Sequence, residues 1–274
     1  MRGNESPFWP ASWIDPSLAR ADKPRTRGLT MVIDKGLGLH AFHDLLQLAA
    51  PYIDICKLGF GTSALYPIDI LREKVELAKR YGVDIMPGGT FFELAFAQAP
   101  LESYLARLKA LGFTAIEISD GTLPLSREMR LKAISRAADA GLTVYTEFGQ
   151  KAAGFKAEAE ALTETLRADL EAGAAYVIVE ARESGNVGVF NQQGELDEPF
   201  LHDVTNQCGD LAAKLIWEAP QKDQQVALLR TLGLHVNLGN IAPADVLSVE
   251  TLRRGLRGDT SAKVLRERRA APCE

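Results

Sequence analysis

Four apolar runs in this chain carry a glutamate at or near their ends. They are Ala115-Ile-Glu117-Ile-Ser119, Thr143-Val-Tyr-Thr-Glu147, Tyr176-Val-Ile-Val-Glu180 and Leu215-Ile-Trp-Glu218. The glutamates lie 30, 33 and 38 residues apart, room for one strand and one helix per interval. Carboxylates recurring at one end of parallel strands suggest a pocket built from several strand ends, the chemistry face of a β/α barrel. Carboxylates on adjacent strands suit a hard cation such as Mg²⁺, which takes oxygen ligands and leaves positions for substrate. The competing arrangement is a carboxylate–lysine network without metal. Buried carboxylates need counter-charges in either case, and Lys35, Lys57, Lys151 and Arg182 could supply them.

The other strand ends are also polar. The first ends in Asp34-Lys35-Gly36, and the second carries Cys56-Lys57 before Gly59-Phe-Gly61. The third runs into Pro87-Gly-Gly-Thr90, and the eighth supplies Asn237 and then Gly239-Asn240. Glycine-rich turns can present backbone N–H groups to an anion, and in barrels the loops after strands seven and eight often bind phosphate. Lysines near strand ends can serve as general acid or base, as Schiff-base nucleophile or as phosphate counter-ion. His40, His43, His202 and His235 form no HExxH, and no GxSxG occurs. Cys56 lies inside a predicted buried strand and reads as structural.

The elements that must position these groups alternate along the chain. Predicted strands are Leu29–Asp34, Ile53–Leu58, Val83–Met86, Ala115–Ser119, Thr143–Glu147, Tyr176–Glu180, Lys214–Glu218 and His235–Leu238. Most are short continuous apolar runs, as parallel strands buried on both faces should be. Helices are predicted over Pro67–Tyr81, Leu101–Leu111, Ser126–Ala140 and Pro243–Arg254, with Ser126 as an N-cap and Gly82, Gly112 and Gly141 just past C-termini. The pattern predicts a (β/α)8 TIM barrel over residues 28–260, preceded by an irregular proline-rich extension, 1–27, and followed by a tail, 261–274. An open doubly wound sheet is the rival, but it commonly has a Gly-rich first turn, and no GxGxxG or GxxxxGK[ST] occurs. Phe8, Trp9 and Trp13 are expected to pack the extension onto the domain or onto a neighbouring subunit.

The 274 residues carry 46% hydrophobic and 24% charged side chains, ordinary for a soluble globular chain. A net charge of −5 argues against nucleic-acid or anionic-membrane partners. Three dispersed cysteines with no CxxC fit a reduced compartment. No apolar run approaches a membrane span and no signal-peptide core is visible, so the expected location is the cytoplasm.

Eight ordered motifs resemble the phosphosulfolactate synthase family, a family that also contains plant heat-stress-associated proteins. They are Arg27-Gly-Leu-Thr-Met-Val-Ile-Asp-Lys-Gly-Leu37, Lys57-Leu-Gly-Phe-Gly-Thr-Ser-Ala64, Pro87-Gly-Gly-Thr-Phe-Phe-Glu93, Ile116-Glu-Ile-Ser-Asp-Gly121, Glu180-Ala-Arg-Glu-Ser-Gly185, Glu218-Ala-Pro-Gln-Lys222, Asn237-Leu-Gly-Asn-Ile-Ala242 and Glu250 to Thr260. The resemblance implies a homotrimeric (β/α)8 barrel that uses Mg²⁺ to add sulfite to phosphoenolpyruvate, giving (2R)-phospho-3-sulfolactate. In methanogens that step opens coenzyme M synthesis. The family's proposed general acid is a lysine just after strand five, in a Thr-Glu-Val-Gly-Lys-Lys context. This chain reads Thr146-Glu-Phe-Gly-Gln-Lys151, which implies Lys151 as the acid that protonates a metal-stabilised enediolate. Glu117, Glu147, Glu180 and Glu218 then become candidate Mg²⁺ ligands. Lys35, Lys57 and Arg182 become candidates for the phosphate, carboxylate and sulfite, with Asn237 and Gly239 beside them. A non-catalytic stress or assembly protein on the same barrel, and a lysine-dependent aldolase of a phosphorylated substrate, are the alternatives.

Overall fold

The computed structural model describes residues 8–149, 157–181, 189–191 and 193–270. Eight short strands, β1 (Thr30–Asp34), β2 (Ile55–Leu58), β3 (Asp84–Pro87), β4 (Ala115–Ile118), β5 (Thr143–Phe148), β6 (Tyr176–Val179), β7 (Leu215–Glu218) and β8 (Asn237–Ile241), form one sheet in the order β3-β2-β1-β8-β7-β6-β5-β4. All the hydrogen-bonded pairs are parallel, and β8 pairs with β1. At the seam β3 and β4 lie side by side, and the Ile85 N–H donates to Thr114 Oγ1 at 2.9 Å. The sheet is thereby wrapped into a (β/α)8 barrel.

Helices alternate with the strands: α1 (Ala11–Ile14), α2 (Leu39–Ala49), α3 (Ile68–Arg80), α4 (Gly89–Phe96), α5 (Leu101–Leu111), α6 (Arg127–Asp139), α7 (Ala159–Glu171), α8 (Glu198–Cys208), α9 (Lys222–Thr231), α10 (Val246–Arg253) and α11 (Gly258–Ala270). The local chemistry explains several ends. Ser126 caps α6 by accepting from the Met129 N–H, and Gly112 ends α5 in the left-handed conformation. Pro243 opens a short 3₁₀ turn ahead of α10, so the single helix predicted over Pro243–Arg254 is in fact two pieces. None of the described helices is long and apolar enough to cross a membrane.

The period-two alternation of the strands decides which side chains face the barrel interior. Met31, Ile55, Met86, Ala115, Tyr145, Ile178 and Ile216 form a small buried cluster of their own. Their neighbours Val32, Cys56, Ile85, Ile116, Val144, Val177 and Trp217 belong to a second, larger cluster under the helices. Two residues beyond inward-facing Ile55, Ala115, Tyr145, Ile178 and Ile216 come Lys57, Glu117, Glu147, Glu180 and Glu218. The same parity that fills the barrel thus aims one lysine and four glutamates at its C-terminal mouth.

The described part of the N-terminal extension is tied to the opposite end. Arg20 Nε lies 3.1 and 3.0 Å from the two Glu250 oxygens, and Arg25 Nε donates to Asp54 at 2.8 Å. Arg253, fully buried, donates to the carbonyls of Leu234, Val236 and Leu29. Trp9 and Trp13 stack on each other and stay largely exposed.

Candidate active site

The inward-facing polar residues converge on Lys57. Its Nζ donates to Glu117 Oε1 and Glu218 Oε1, both at 3.0 Å, and lies 4.0 Å from Glu147 Oε2. All these side chains and Glu180 are buried. Burial pushes the Lys57 ammonium toward deprotonation, but Glu117, Glu218, Glu147 and Glu180 outweigh it and hold its pKa well above the usual lysine range. Lys57 is therefore a fixed cation at neutral pH.

Each of its two closest carboxylates has a second anchor. Glu117 Oε2 accepts from the Gly89 N–H at 2.6 Å, and Glu218 Oε2 accepts from the Ala181 N–H at 3.0 Å. The first contact depends on glycine. A Cβ on Gly89 would stand 2.6 Å from Ser119 Oγ and 3.2 Å from Glu117 Cγ. The helix that Gly89 starts also carries Glu93, whose carboxylate accepts from the Ser119 hydroxyl and from the N–H groups of Gly121, Thr122 and Leu123. That set of bonds fixes the loop after β4.

Behind β5 stands Arg130. It donates to both Asp169 oxygens, to Asp120 at 2.8 Å and to the Glu147 carbonyl at 3.0 Å. Burial opposes its charge, but Asp169, Asp120 and Glu147 more than compensate and raise its pKa. Burial likewise raises the Asp120 carboxyl, with Arg130 opposing. A cavity of about 520 Å³ lies outside the barrel wall here, between α6 and α7. A smaller one, about 210 Å³, sits in the mouth itself, bordered by Lys57, the four glutamates, Gly88, Gly89 and Asn240. The smaller cavity is the better candidate for chemistry, because one lysine and four acidic side chains converge in it.

Donor chemistry at the mouth fits a hard cation: among the described residues the lining offers carboxylate, amide and hydroxyl oxygens from four glutamates, Asn240 and Thr90 beside one lysine. Yet among the described residues no three acidic, histidine or cysteine side chains are arranged to hold a metal. Glu117 and Glu218 are each turned toward Lys57 and a backbone N–H. Mg²⁺ commonly takes one or two protein carboxylates and completes its shell with water and substrate. Glu147 and Glu180 border the same cavity and could fill that role.

The other sequence-derived residues divide. Lys35 is exposed at the rim, with Nζ 5.8 Å from the Phe60 ring centroid. Lys151 and Arg182 lie outside the described residues. Asn237 is not at the mouth. It opens β8, accepts from the Leu29 N–H and donates to the carbonyls of Ala213 and Leu215, so its amide serves the barrel floor. Gly239 is a spacer inside the barrel, where a Cβ would meet Met31 Cε at 2.7 Å. The strand predicted to end at Leu238 runs on to Ile241, so of the polar residues at the eighth strand's end it is Asn240, not the candidate Asn237, that reaches the mouth. Lys74 was missed: fully buried on α3, it pairs with Asp34 and donates to the Leu37 carbonyl at 2.8 Å.

The family model described as (2R)-phospho-3-sulfolactate synthase (ComA) matches residues 19–259. The chain belongs to this family. The phosphosulfolactate synthase of Methanocaldococcus jannaschii is 46% identical over 244 residues, covering 87% of this chain and 95% of its own length. That of Methanothermobacter thermautotrophicus is 41% identical over 252 residues, covering 89% of this chain and 95% of its own. Among solved structures, the YdjI aldolase of Escherichia coli K12 superposes with a TM-score of 0.53 at 12% identity, covering 89% of this chain and 91% of that one. At that identity the likeness speaks for the barrel alone. The family match takes in β1 to β8, and with them every member of the ring around Lys57.

Proposed function

We propose that the protein joins sulfite to phosphoenolpyruvate to give (2R)-phospho-3-sulfolactate, using Mg²⁺. The observation that carries this reading is the ring of four glutamates around Lys57 at the barrel mouth, in a chain of the phosphosulfolactate synthase family. Sulfite forms a bond from sulfur to C3 of the enol phosphate, and the double-bond electrons move toward C2 and its carboxylate as an enediolate. Mg²⁺ held by Glu147 and Glu180 would stabilise the charge that grows on that carboxylate. Lys57, kept cationic by its neighbours, adds a second fixed positive charge, and Glu117 and Glu218 hold it in place. A proton then passes to C2 from Lys151, which regains one from water. Arg182 is assigned to the incoming sulfite, whose oxyanion a guanidinium can grip with two donors.

The test is incubation of the purified protein with phosphoenolpyruvate, sulfite and Mg²⁺, with mass detection of phosphosulfolactate. Product that disappears with EDTA supports the reading; no product at high enzyme concentration overturns it. Lys151→Ala should lower turnover by roughly 10²–10⁴-fold, the usual contribution of a general acid. Near-normal turnover removes that assignment. We further read the protein as cytoplasmic and as a homotrimer; a monomer mass in light scattering would contradict the latter.

A further inference from the structure

Two of the glutamates at the mouth, Glu147 and Glu180, stand at the ends of the neighbouring strands β5 and β6 and border the same cavity. How they lie relative to each other depends on the backbone at the end of β5. On one side the ladder to β4 stops at the pair Ile118–Thr146, and the next carbonyl, that of Glu147, accepts from Arg130 Nη2 at 3.0 Å. On the other side the Phe148 carbonyl accepts from the Glu180 N–H at 3.0 Å. Gly149 then packs against Glu180. A Cβ there would stand 2.7 Å from Glu180 Cβ, and its φ of +136° is one that residues with side chains rarely adopt.

Arg130 is held as firmly as the strand it holds. Its Nε lies 3.1 and 3.2 Å from the two Asp169 oxygens on α7, and its Nη2 lies 2.6 Å from the second of them. Its Nη1 donates to Asp120, in the loop after β4, at 2.8 Å. The grip on Asp169 by two nitrogens fixes the plane of the guanidinium, and that plane aims Nη2 at the Glu147 carbonyl as well. The loop that carries Asp120 is itself fixed by the bonds of Gly121, Thr122 and Leu123 to Glu93. Glu147 thus faces two ways. Its carbonyl meets Arg130 behind the barrel wall, while its Oε2 lies 4.0 Å from Lys57 Nζ at the mouth.

We propose that Arg130 is a positioning residue: acting through the main chain of Glu147, it sets the Glu147–Glu180 carboxylate pair for a divalent cation, and Gly149 permits the close approach of the two strand ends. Mg²⁺ demands near-ideal octahedral geometry, so a displacement of one carboxylate by well under an ångström matters. Groups that orient metal ligands from outside commonly govern affinity by roughly 10–100-fold. Lysine cannot stand in for arginine here. A single ammonium cannot hold Asp169 with two nitrogens and also reach the Glu147 carbonyl and Asp120. This inference rests on the reading of the mouth as a Mg²⁺ site.

The test measures binding of Mg²⁺ alone by calorimetry, beside turnover, in Arg130→Lys, Gly149→Ala and a control. The control is Arg253→Lys, which alters a buried guanidinium at the barrel floor. Arg130→Lys and Gly149→Ala should each weaken Mg²⁺ binding by roughly 10–100-fold. The Mg²⁺ concentration for half-maximal turnover should rise in step, with KM for sulfite nearly unchanged. Arg253→Lys should lower the urea midpoint as Arg130→Lys does, yet bind Mg²⁺ like the wild type. Equal weakening in that control would trace the effect to general loss of stability and overturn the proposal. Wild-type Mg²⁺ affinity in a folded Arg130→Lys protein also overturns it, and should that variant not fold, Gly149→Ala decides by the same measure. Absence of Mg²⁺ binding by the wild type, with and without phosphoenolpyruvate, overturns it too. Mg²⁺ binding that depends on Arg130 in a protein that makes no phosphosulfolactate would sustain the carboxylate site and sink the reaction. Product formation with Arg130-independent Mg²⁺ binding would do the reverse.

Discussion

Replacing Lys57 by methionine tests whether the ring is a charge-balanced unit. The substitution removes the ammonium that lies 3.0 Å from both Glu117 and Glu218 and 4.0 Å from Glu147, in a site where every partner is buried. Removing one side of a buried ion pair costs about 3–5 kcal/mol, because the stranded charge keeps its desolvation penalty. For a chain of this size that corresponds to a fall in Tm of roughly 6–20 °C. The loss should depend on pH. The folded pKa of Lys57 is raised, so its stabilisation is complete below the unfolded value of about 10.4 and fades as pH climbs through the folded value. In Lys57→Met the cost should be larger at about pH 7 than at about pH 4, because protonation in acid removes stranded negative charge. Urea unfolding at both pH values reads this directly. Adding Glu117→Gln to Lys57→Met should recover part of the loss at pH 7, since one unpaired charge is removed. An unchanged midpoint in Lys57→Met at pH 7, or a loss of the same size at both pH values, would refute the reasoning.

Arg130→Met strands Asp169 and releases the Glu147 carbonyl, so urea unfolding should show a loss of about 3 kcal/mol or more; a change within about 0.5 kcal/mol, as for an ordinary surface site, would contradict it. Gly89→Ala forces a Cβ into Ser119 and displaces Glu117, which should cost about 1–3 kcal/mol in thermal or urea unfolding and lower turnover as well; a variant equal to wild type in both would remove Gly89 from the argument. His235 is held below its usual pKa by burial and by Arg27, Arg20 and Arg253, so the unfolded chain takes up its proton first as pH falls. Stability should therefore decline as pH drops below about 6.5, and His235→Gln should flatten that part of the profile; an unaltered slope in the variant would rule the group out.

The barrel and most of its ring were legible because both depend on patterns the chain states locally. A buried parallel strand is a short apolar run, and a glutamate two residues beyond an inward residue must face the same way. Asn240 is visible in the sequence only as one of several polar residues past the eighth run: Leu238-Gly-Asn240 breaks the apolar run and reads as a turn, so Asn237 and Gly239 stand as the candidates although the strand continues to Ile241. For Lys57 the sequence supports both a counter-charge to the glutamates and an anion binder; it shows an inward-facing lysine but not which carboxylates meet it. Lys74 and Arg130 left a signal that could have been used. Each interrupts the buried stripe of its helix, between Leu71 and Ala78 and ahead of Ala133, Ile134 and Ala137. A charge on such a stripe requires a buried partner, which Asp34 and Asp169 provide.

The central claim, addition of sulfite followed by protonation at C2, is tested most directly by running the reaction in D₂O and recording the mass of the product. The account expects phosphosulfolactate carrying one non-exchangeable deuterium at C2, formed with Mg²⁺ and lost with EDTA. Absence of phosphosulfolactate, or a product without that deuterium, would contradict it.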